Sequence, residues 1–275
     1  MNKRTKEKKI NLSAVIITKN EEERIASCLD SVSFADETIV IDAGSTDKTV
    51  FIAKEKGAQV YHFPMKDYAS QRNHGLEKAK GEWLLYVDAD ERVSNNLRQQ
   101  IIATINNQPS FAKASKGRQS TINNIVAYRI PRKNYYFGAY EWPVIEKLER
   151  LFRREGLKGW YGRVHESPMV EGEISELHAP LIHYTHRDLS SMTNKTVEWS
   201  DAESDLLLHS KHPRMVPWRF IRIMGTKFLD SYVKQGGWKA GTAGLIESMY
   251  QAYSYLIIYA RLWERQNQMN NEQRI

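Results

Sequence analysis

Residues 12–42 read LSAVIITKNEEERIASCLDSVSFADETIVID. Leu12–Thr18 and Thr38–Asp42 are short, apolar, β-branched runs, and Glu21–Val32 between them carries a helical pattern. The same alternation continues, with Ala58–His62 and Trp83–Val87 as strands and Asp47–Lys56 and Tyr68–Lys80 as helices. Asp47 is an eligible N-cap, and Gly57 and Gly81 stand where helices would stop. Strand, helix, strand in repetition predicts an α/β fold with a mostly parallel, Rossmann-like sheet and helices on both faces. Such sheets bind ligands beyond the carboxyl ends of their strands.

The alternation breaks at residues 106–124, NNQPSFAKASKGRQSTINN, a polar, basic stretch without periodicity that predicts a flexible insertion. Ile125–Pro131, Lys147–Arg153, Trp160–His165 and Leu177–Tyr184 then predict mixed or antiparallel strands added to the sheet. From Asp188 the chain reads as helical, with breaks at Pro213, Pro217 and Gly236–Gly237. Leu245, Met249, Ala252, Leu256, Tyr259 and Trp263 form one stripe at helical spacing, and Ile246, Tyr250, Tyr253 and Ile257 a second beside it. The domains expected are a basic tail at 1–10, an α/β domain at 11–187 and a helical, membrane-associating extension at 188–275.

With 275 residues, 41% hydrophobic and 27% charged, the chain can bury a substantial core. A net charge of +7 suits anionic partners without choosing among them. The single cysteine, Cys28, excludes an internal disulfide framework and a cysteine-rich zinc site, and fits a reduced compartment. No run approaches the roughly 18 apolar residues of a membrane-spanning helix. Pro217–Val233 instead mixes Trp218, Phe220, Ile221, Ile223, Met224 and Phe228 with Arg219, Arg222 and Lys227, just after Arg214, a basic amphipathic pattern able to lie in a headgroup layer.

The fourth strand ends abruptly in Leu84-Leu85-Tyr86-Val87-Asp88-Ala89-Asp90-Glu91. Two carboxylates around one residue at a carboxyl edge can hold a hard divalent cation, which neutralises a diphosphate. Taken alone, the same residues also read as a polar turn capping the next helix. The neighbouring strand ends supply context: the first runs into Thr18-Lys19-Asn20-Glu21-Glu22, and the second into Asp42-Ala43-Gly44-Ser45-Thr46-Asp47. Asp42 sits where a ribose hydroxyl or base imide could be bound, and Gly44 permits close backbone approach.

In VIITKNEE, IVIDAGSTDKT and QRNHGLEKAKGEWLLYVDADE, and in their spacing, the sequence resembles the inverting family 2 glycosyltransferases of the GT-A fold over roughly residues 11–105. Arg150-Leu151-Phe152-Arg153, Gly162-Arg163-Val164-His165-Glu166 and His183-Tyr184 look like the branch containing lipopolysaccharide core glucosyltransferases. The resemblance implies a UDP-sugar donor, a divalent cation (Mn or Mg), and a lipid-linked or lipopolysaccharide glycan acceptor. The hexose expected is glucose, passed to lipopolysaccharide inner core or another surface glycan by a cytoplasmic enzyme peripheral at the inner face of the plasma membrane. Thr18, Asn20 and Glu22 would border uracil and ribose, Asp42 would bind base or ribose, and Arg72 would lie over the base or near the diphosphate. Asp88 would contact ribose or cation, and Asp90 would be the principal metal ligand.

Inverting transfer is one in-line displacement, and it needs a carboxylate to take the acceptor hydroxyl's proton. Glu166 is the expected base, with Asp188, Asp201 and Asp205 as competitors. Among His165, His183 and His186, His183 is the candidate nitrogen ligand to the metal. A haloacid dehalogenase-like phosphatase would place its aspartate pair on the first strand, and a nucleotidyltransferase or dinucleotide dehydrogenase would need a glycine-rich loop that Lys19-Asn20-Glu21-Glu22 lacks. No RNA- or DNA-reading motif is present, so nucleic acid is not an expected partner. A membrane scaffold derived from a transferase fits less well while Asp88 and Asp90 are both retained.

Overall fold

β1 (Leu12–Thr18) is buried along its whole length, as an apolar strand covered on both faces must be. It lies between β2 (Glu37–Asp42) and β4 (Trp83–Asp88), with β3 (Gln59–His62) beyond β2, all four parallel. The computed structural model describes residues 11–64, 67–107, 125–162, 166–185 and 188–272. The basic tail, residues 108–124, Arg163 to His165 and His186 lie outside the described residues.

Period-two alternation sorts the strand residues between two cores. Ala14, Ile16, Val40, Leu85 and Val87 pack with α1 (Ile25–Ser31), α2 (Thr49–Glu55) and α4 (Asn95–Asn107). Val15, Ile17, Ile39, Ile41, Leu84 and Tyr86 pack on the other face with α3 (Tyr68–Lys78) and with Trp160. Helices therefore cover both faces, as expected.

Past β4 the sheet turns antiparallel. β8 (Glu146–Arg153) pairs with β4, and β6 (Ile125–Tyr136) pairs with β8. β12 (Leu181–Tyr184) and the short β5 (Glu91–Val93) follow, giving the order β3-β2-β1-β4-β8-β6-β12-β5, with β7 (Tyr140–Glu141) and β11 (Glu173–Glu176) paired to β6 off this path. β9 (Leu157–Tyr161) and β10 (Ser167–Val170) make a separate antiparallel pair.

Several boundaries shift by a residue or more, α4 takes the first two residues of the expected insertion at 106–124, and three of the shifts have a physical reason in the loops. α1 begins at Ile25 because the amides of Glu21 and Glu22 bond Thr49 Oγ1 and Asp47 Oδ2 across the sheet edge, at 2.7 and 3.1 Å. α2 begins at Thr49, whose amide Asp47 accepts at 2.9 Å. Gly81 is no helix stop: α3 ends at Lys78, and a Cβ on Gly81 would lie 2.6 Å from the Ser13 amide nitrogen.

The described residues up to 132 and in 146–183 form one compact unit, and those in 133–145 and from 184 onward a second. In the second, α5 (Leu189–His209) opens with a capping box between Asp188 and Ser191, α6 (Pro217–Leu229) buries no residue, and α7 (Gly241–Glu272) follows. The proline and glycine breaks fall where expected. Of the apolar stripe on α7, Ala252 is buried and Leu245, Met249 and Trp263 are exposed. Buried along α7 are also Ala243, Glu247, Ser248, Ile258 and Leu262; Ser248 bonds Ser231 at 3.0 Å, and Thr196 bonds Tyr250 and Ser254 at 2.7 and 2.9 Å. Among the described residues, no helix is long and apolar enough to cross a membrane.

Candidate active site

The carboxyl ends of β1, β2 and β4 lie level. Thr18 is in register with Asp42, and Ile17 with Asp88, so both aspartates stand on one edge of the sheet. They differ in face. Asp42 shares Thr18's face, toward α1 and α2, whereas Asp88 shares Ile17's face, toward α3.

Asp88 is held by two guanidinium groups. Arg72 Nη2 donates to its Oδ1 at 2.9 Å and Arg150 Nη2 to its Oδ2 at 2.7 Å. Burial works against ionisation here, but the charges of Arg150, Arg72 and Arg132 outweigh it and hold the carboxyl well below the usual carboxylate range. Arg150 is in turn kept above its ordinary value, because Asp88 and Glu91 together overcome the cost of burying it.

Arg72 reaches Asp88 from α3 and also binds Glu166, through Nε at 2.9 Å and Nη2 at 2.8 Å, both to Oε1. Its guanidinium lies 4.9 Å from the Trp160 ring and 5.9 Å from the Tyr86 ring. Trp160 is fixed in turn by Asn73, which bonds both its amide and its carbonyl. That lock ties α3 to β9, whose partner β10 begins immediately after Glu166.

A third carboxylate was not singled out by sequence reasoning as a site residue. Glu91 is fully buried; its Oε1 accepts from Arg132 and Arg150, each at 3.1 Å, and its Oε2 from the Asp88 amide at 3.0 Å. Arg132 also binds Glu146 at 2.6 Å, so Arg72, Arg132 and Arg150 join Asp88, Glu91, Glu146 and Glu166 in one ion-pair network. The available signal was Arg150 within the apolar run Leu151-Phe152, since arginine is buried only when paired.

At the β1 and β2 ends, two loops are stitched together. Asn20, at φ 55°, donates its amide to Ser45 Oγ at 2.9 Å and accepts from the Thr46 amide at 2.8 Å. Glu22 accepts from the Lys48 amide at 3.0 Å. Asp42 is buried and accepts from the amides of Gly44 and Ser45, with Gly44 at φ 98° where a side chain would strain the turn. The Asn20 and Glu22 side chains therefore shape the rim by holding backbone. Thr18 Oγ1, Arg72 Nη1 and Arg150 Nε are buried and lack a hydrogen-bond partner among the described residues.

Asp90 pairs with His183 and Arg24. Its Oδ2 is 3.3 Å from His183 Nε2 and 3.8 Å from Arg24 Nη1. Antiparallel pairing of β12 with β5 brings His183 opposite Glu91 and so to Asp90. One carboxylate and one imidazole at this distance fit a divalent cation that takes its remaining oxygens from a diphosphate and water. The described residues contain no group of three or more His, Cys, Asp or Glu able to hold a metal unaided. Cys28 is a bystander: burial pushes its thiol far up, and its Sγ lies 3.4 Å from the Asp88 carbonyl.

In the second unit, the rival carboxylates are engaged in structure. Asp188 caps α5, Asp201 pairs with Arg261 and Arg265 at 2.8 and 2.6 Å, and Asp205 pairs with Arg265 at 2.9 Å.

The description "Glycosyl transferase family 2" matches residues 13–165, more than half of the chain. The lipopolysaccharide core biosynthesis glycosyltransferase LpsC of Rhizobium meliloti is 29% identical over 269 residues, covering 94% of this chain and 93% of that one. A glucosyl-3-phosphoglycerate synthase of Mycobacterium tuberculosis, solved with Mn2+, UDP and glucosyl-3-phosphoglycerate, is similar at TM-score 0.42 and 17% identity, covering 74% and 81% of the two chains. TarS residues 1–349 of S. aureus give TM-score 0.42 and 14% identity over 94% and 92%. The family match spans the stitched loops, the arginine-held Asp88 and also Asp90, and on it the chain belongs to glycosyl transferase family 2 and is a glycosyltransferase.

Proposed function

We infer that the enzyme transfers a hexose, glucose first among them, from a UDP-sugar to a lipid-linked glycan acceptor, the inner core of lipopolysaccharide, at the cytoplasmic face of the membrane. The observation that carries this reading is the level edge of β1, β2 and β4, with Thr18 Oγ1 and Arg72 Nη1, which lack a hydrogen-bond partner among the described residues, on its two faces. A uridine diphosphate lying across that edge supplies hydroxyls for Asp42 and Thr18 and phosphate oxygens for Arg72. The full-length similarity to LpsC supports the acceptor class.

In this reading Asp90 and His183 hold the divalent cation, manganese or magnesium, with Asp88 fixing the neighbouring guanidinium groups. The cation, when bound, offsets charge on the departing diphosphate. Glu166, held through Oε1, offers Oε2 to the acceptor hydroxyl. That hydroxyl oxygen forms its bond to the anomeric carbon as the bond to diphosphate breaks, its proton passes to Glu166, and the configuration inverts.

The test is a screen of nucleotide sugars that measures nucleoside diphosphate release with manganese or magnesium, in the presence and absence of purified lipopolysaccharide core. Release from a UDP-hexose that rises with core supports the reading. Release only from another nucleotide's sugars, or indifference to core, rejects the donor or the acceptor respectively.

A further inference from the structure

His212, Arg219, Arg222, Thr226, Lys227 and Tyr259 border a cavity of about 250 Å3 lined from α6, α7 and the segment before α6. Nothing in the transferase chemistry uses it. Three of these residues are permanent cations, and from Lys211 to Leu229 the sequence holds five lysines and arginines and no acid. Glu203 of α5 is close enough to act on Tyr259, but one carboxylate does not balance three cations.

The same helix leaves an apolar stripe uncovered. Trp218, Ile221 and Leu229 share one side of α6, Val233 continues it in the following turn, and Ile221 is 75% exposed. Arg219 and Arg222, which line the cavity, also lie over the Trp218 ring at 5.1 and 6.0 Å. One pair of arginines therefore borders both the cationic cavity and the apolar stripe, with an aromatic ring between them. Phosphate oxygens match guanidinium donors, and exposed tryptophan with aliphatic side chains matches the boundary between headgroups and acyl chains.

We propose that this cavity is a headgroup-phosphate site by which α6 docks on an anionic phospholipid surface, with Trp218, Ile221, Leu229 and Val233 entering the acyl boundary. The proposal deepens the reading of the acceptor as lipid-borne and rests on it for its purpose, though not for its test.

The experiment is co-sedimentation of the full chain with vesicles of phosphatidylcholine alone or mixed with phosphatidylglycerol. The protein should bind the mixed vesicles, less so in high salt, and ignore the neutral ones. R219Q/R222Q should lower the partition coefficient roughly thirtyfold, two surface cations being lost. I221D should weaken binding without touching the cavity, which keeps the test decisive if the double variant misfolds. UDP release from the donor without vesicles should be the same in both variants, so failure of transfer chemistry and failure of docking read out separately. Equal binding to neutral vesicles, or wild-type binding by either folded variant, overturns the proposal. So does inorganic phosphate binding in calorimetry without vesicle binding, which would make the cavity a site for a soluble anion.

Discussion

Arg72 and Glu166, 94 residues apart in the sequence, share an ion pair of 2.8 Å, and the arginine in that pair is almost wholly buried. Removing it takes the ion pair from Glu166 and leaves Asp88 with Arg150 as its remaining guanidinium partner. Arg72→Ala should therefore lower the unfolding free energy by about 3–5 kcal/mol. Arg72→Lys keeps the charge but loses the planar fork and should fall between the two in urea denaturation. An alanine variant as stable as the parent would mean that the cluster carries no structural weight.

Glu166→Gln keeps the shape and the bond from Arg72 while removing the basic oxygen. Transfer should drop by roughly 10²–10⁴ in kcat with donor affinity retained, read by product formation alongside calorimetric titration of UDP. Full turnover in this variant places the base on another residue.

Asp90 stands apart from the arginine cluster, so Asp90→Ala should abolish cation-dependent transfer with little change in the melting temperature. His183→Ala, removing the partner 3.3 Å away, should raise the manganese concentration needed for half-maximal transfer while leaving some activity. Metal-independent activity in either protein contradicts the assignment.

Acid should unfold the protein partly through Asp88. Its folded-state carboxyl titrates below the ordinary value, so its contribution is complete above the unfolded pKa, about pH 4, and fades as pH falls toward the depressed one. Stability measured from about pH 5 downward should decline steeply in the parent and less steeply in Asp88→Asn. Parallel slopes would show that other carboxylates govern the acid limb.

The parallel half of the fold was legible because its strands are apolar on both faces and separated by helical patterns: β1 and the start of α3 fall on the residues expected. Asp42, Asp88 and Asp90 were legible for the same reason, each ending a strand or following one. The partners of Asp88 were not. Arg150 reaches it, and Arg132 reaches the neighbouring Glu91, only because β6 pairs with β8 and β8 with β4, long-range registers that local periodicity does not encode. Nor could sequence show that Asn20 and Glu22 turn their side chains onto Thr46 and Lys48, since a polar loop residue reads the same whether it binds a ligand or its neighbour.

Those crossed bonds between Asn20 and residues 45 and 46, and between Glu22 and residues 47 and 48, make two strand-to-helix loops into one rigid ledge. The loss of chain freedom falls on folding, not on ligand capture. A molecule settling over the ledge meets a surface whose shape is already set, so selectivity there comes from fit to a fixed outline, and an inhibitor built to match that outline need not wait for the protein to close around it.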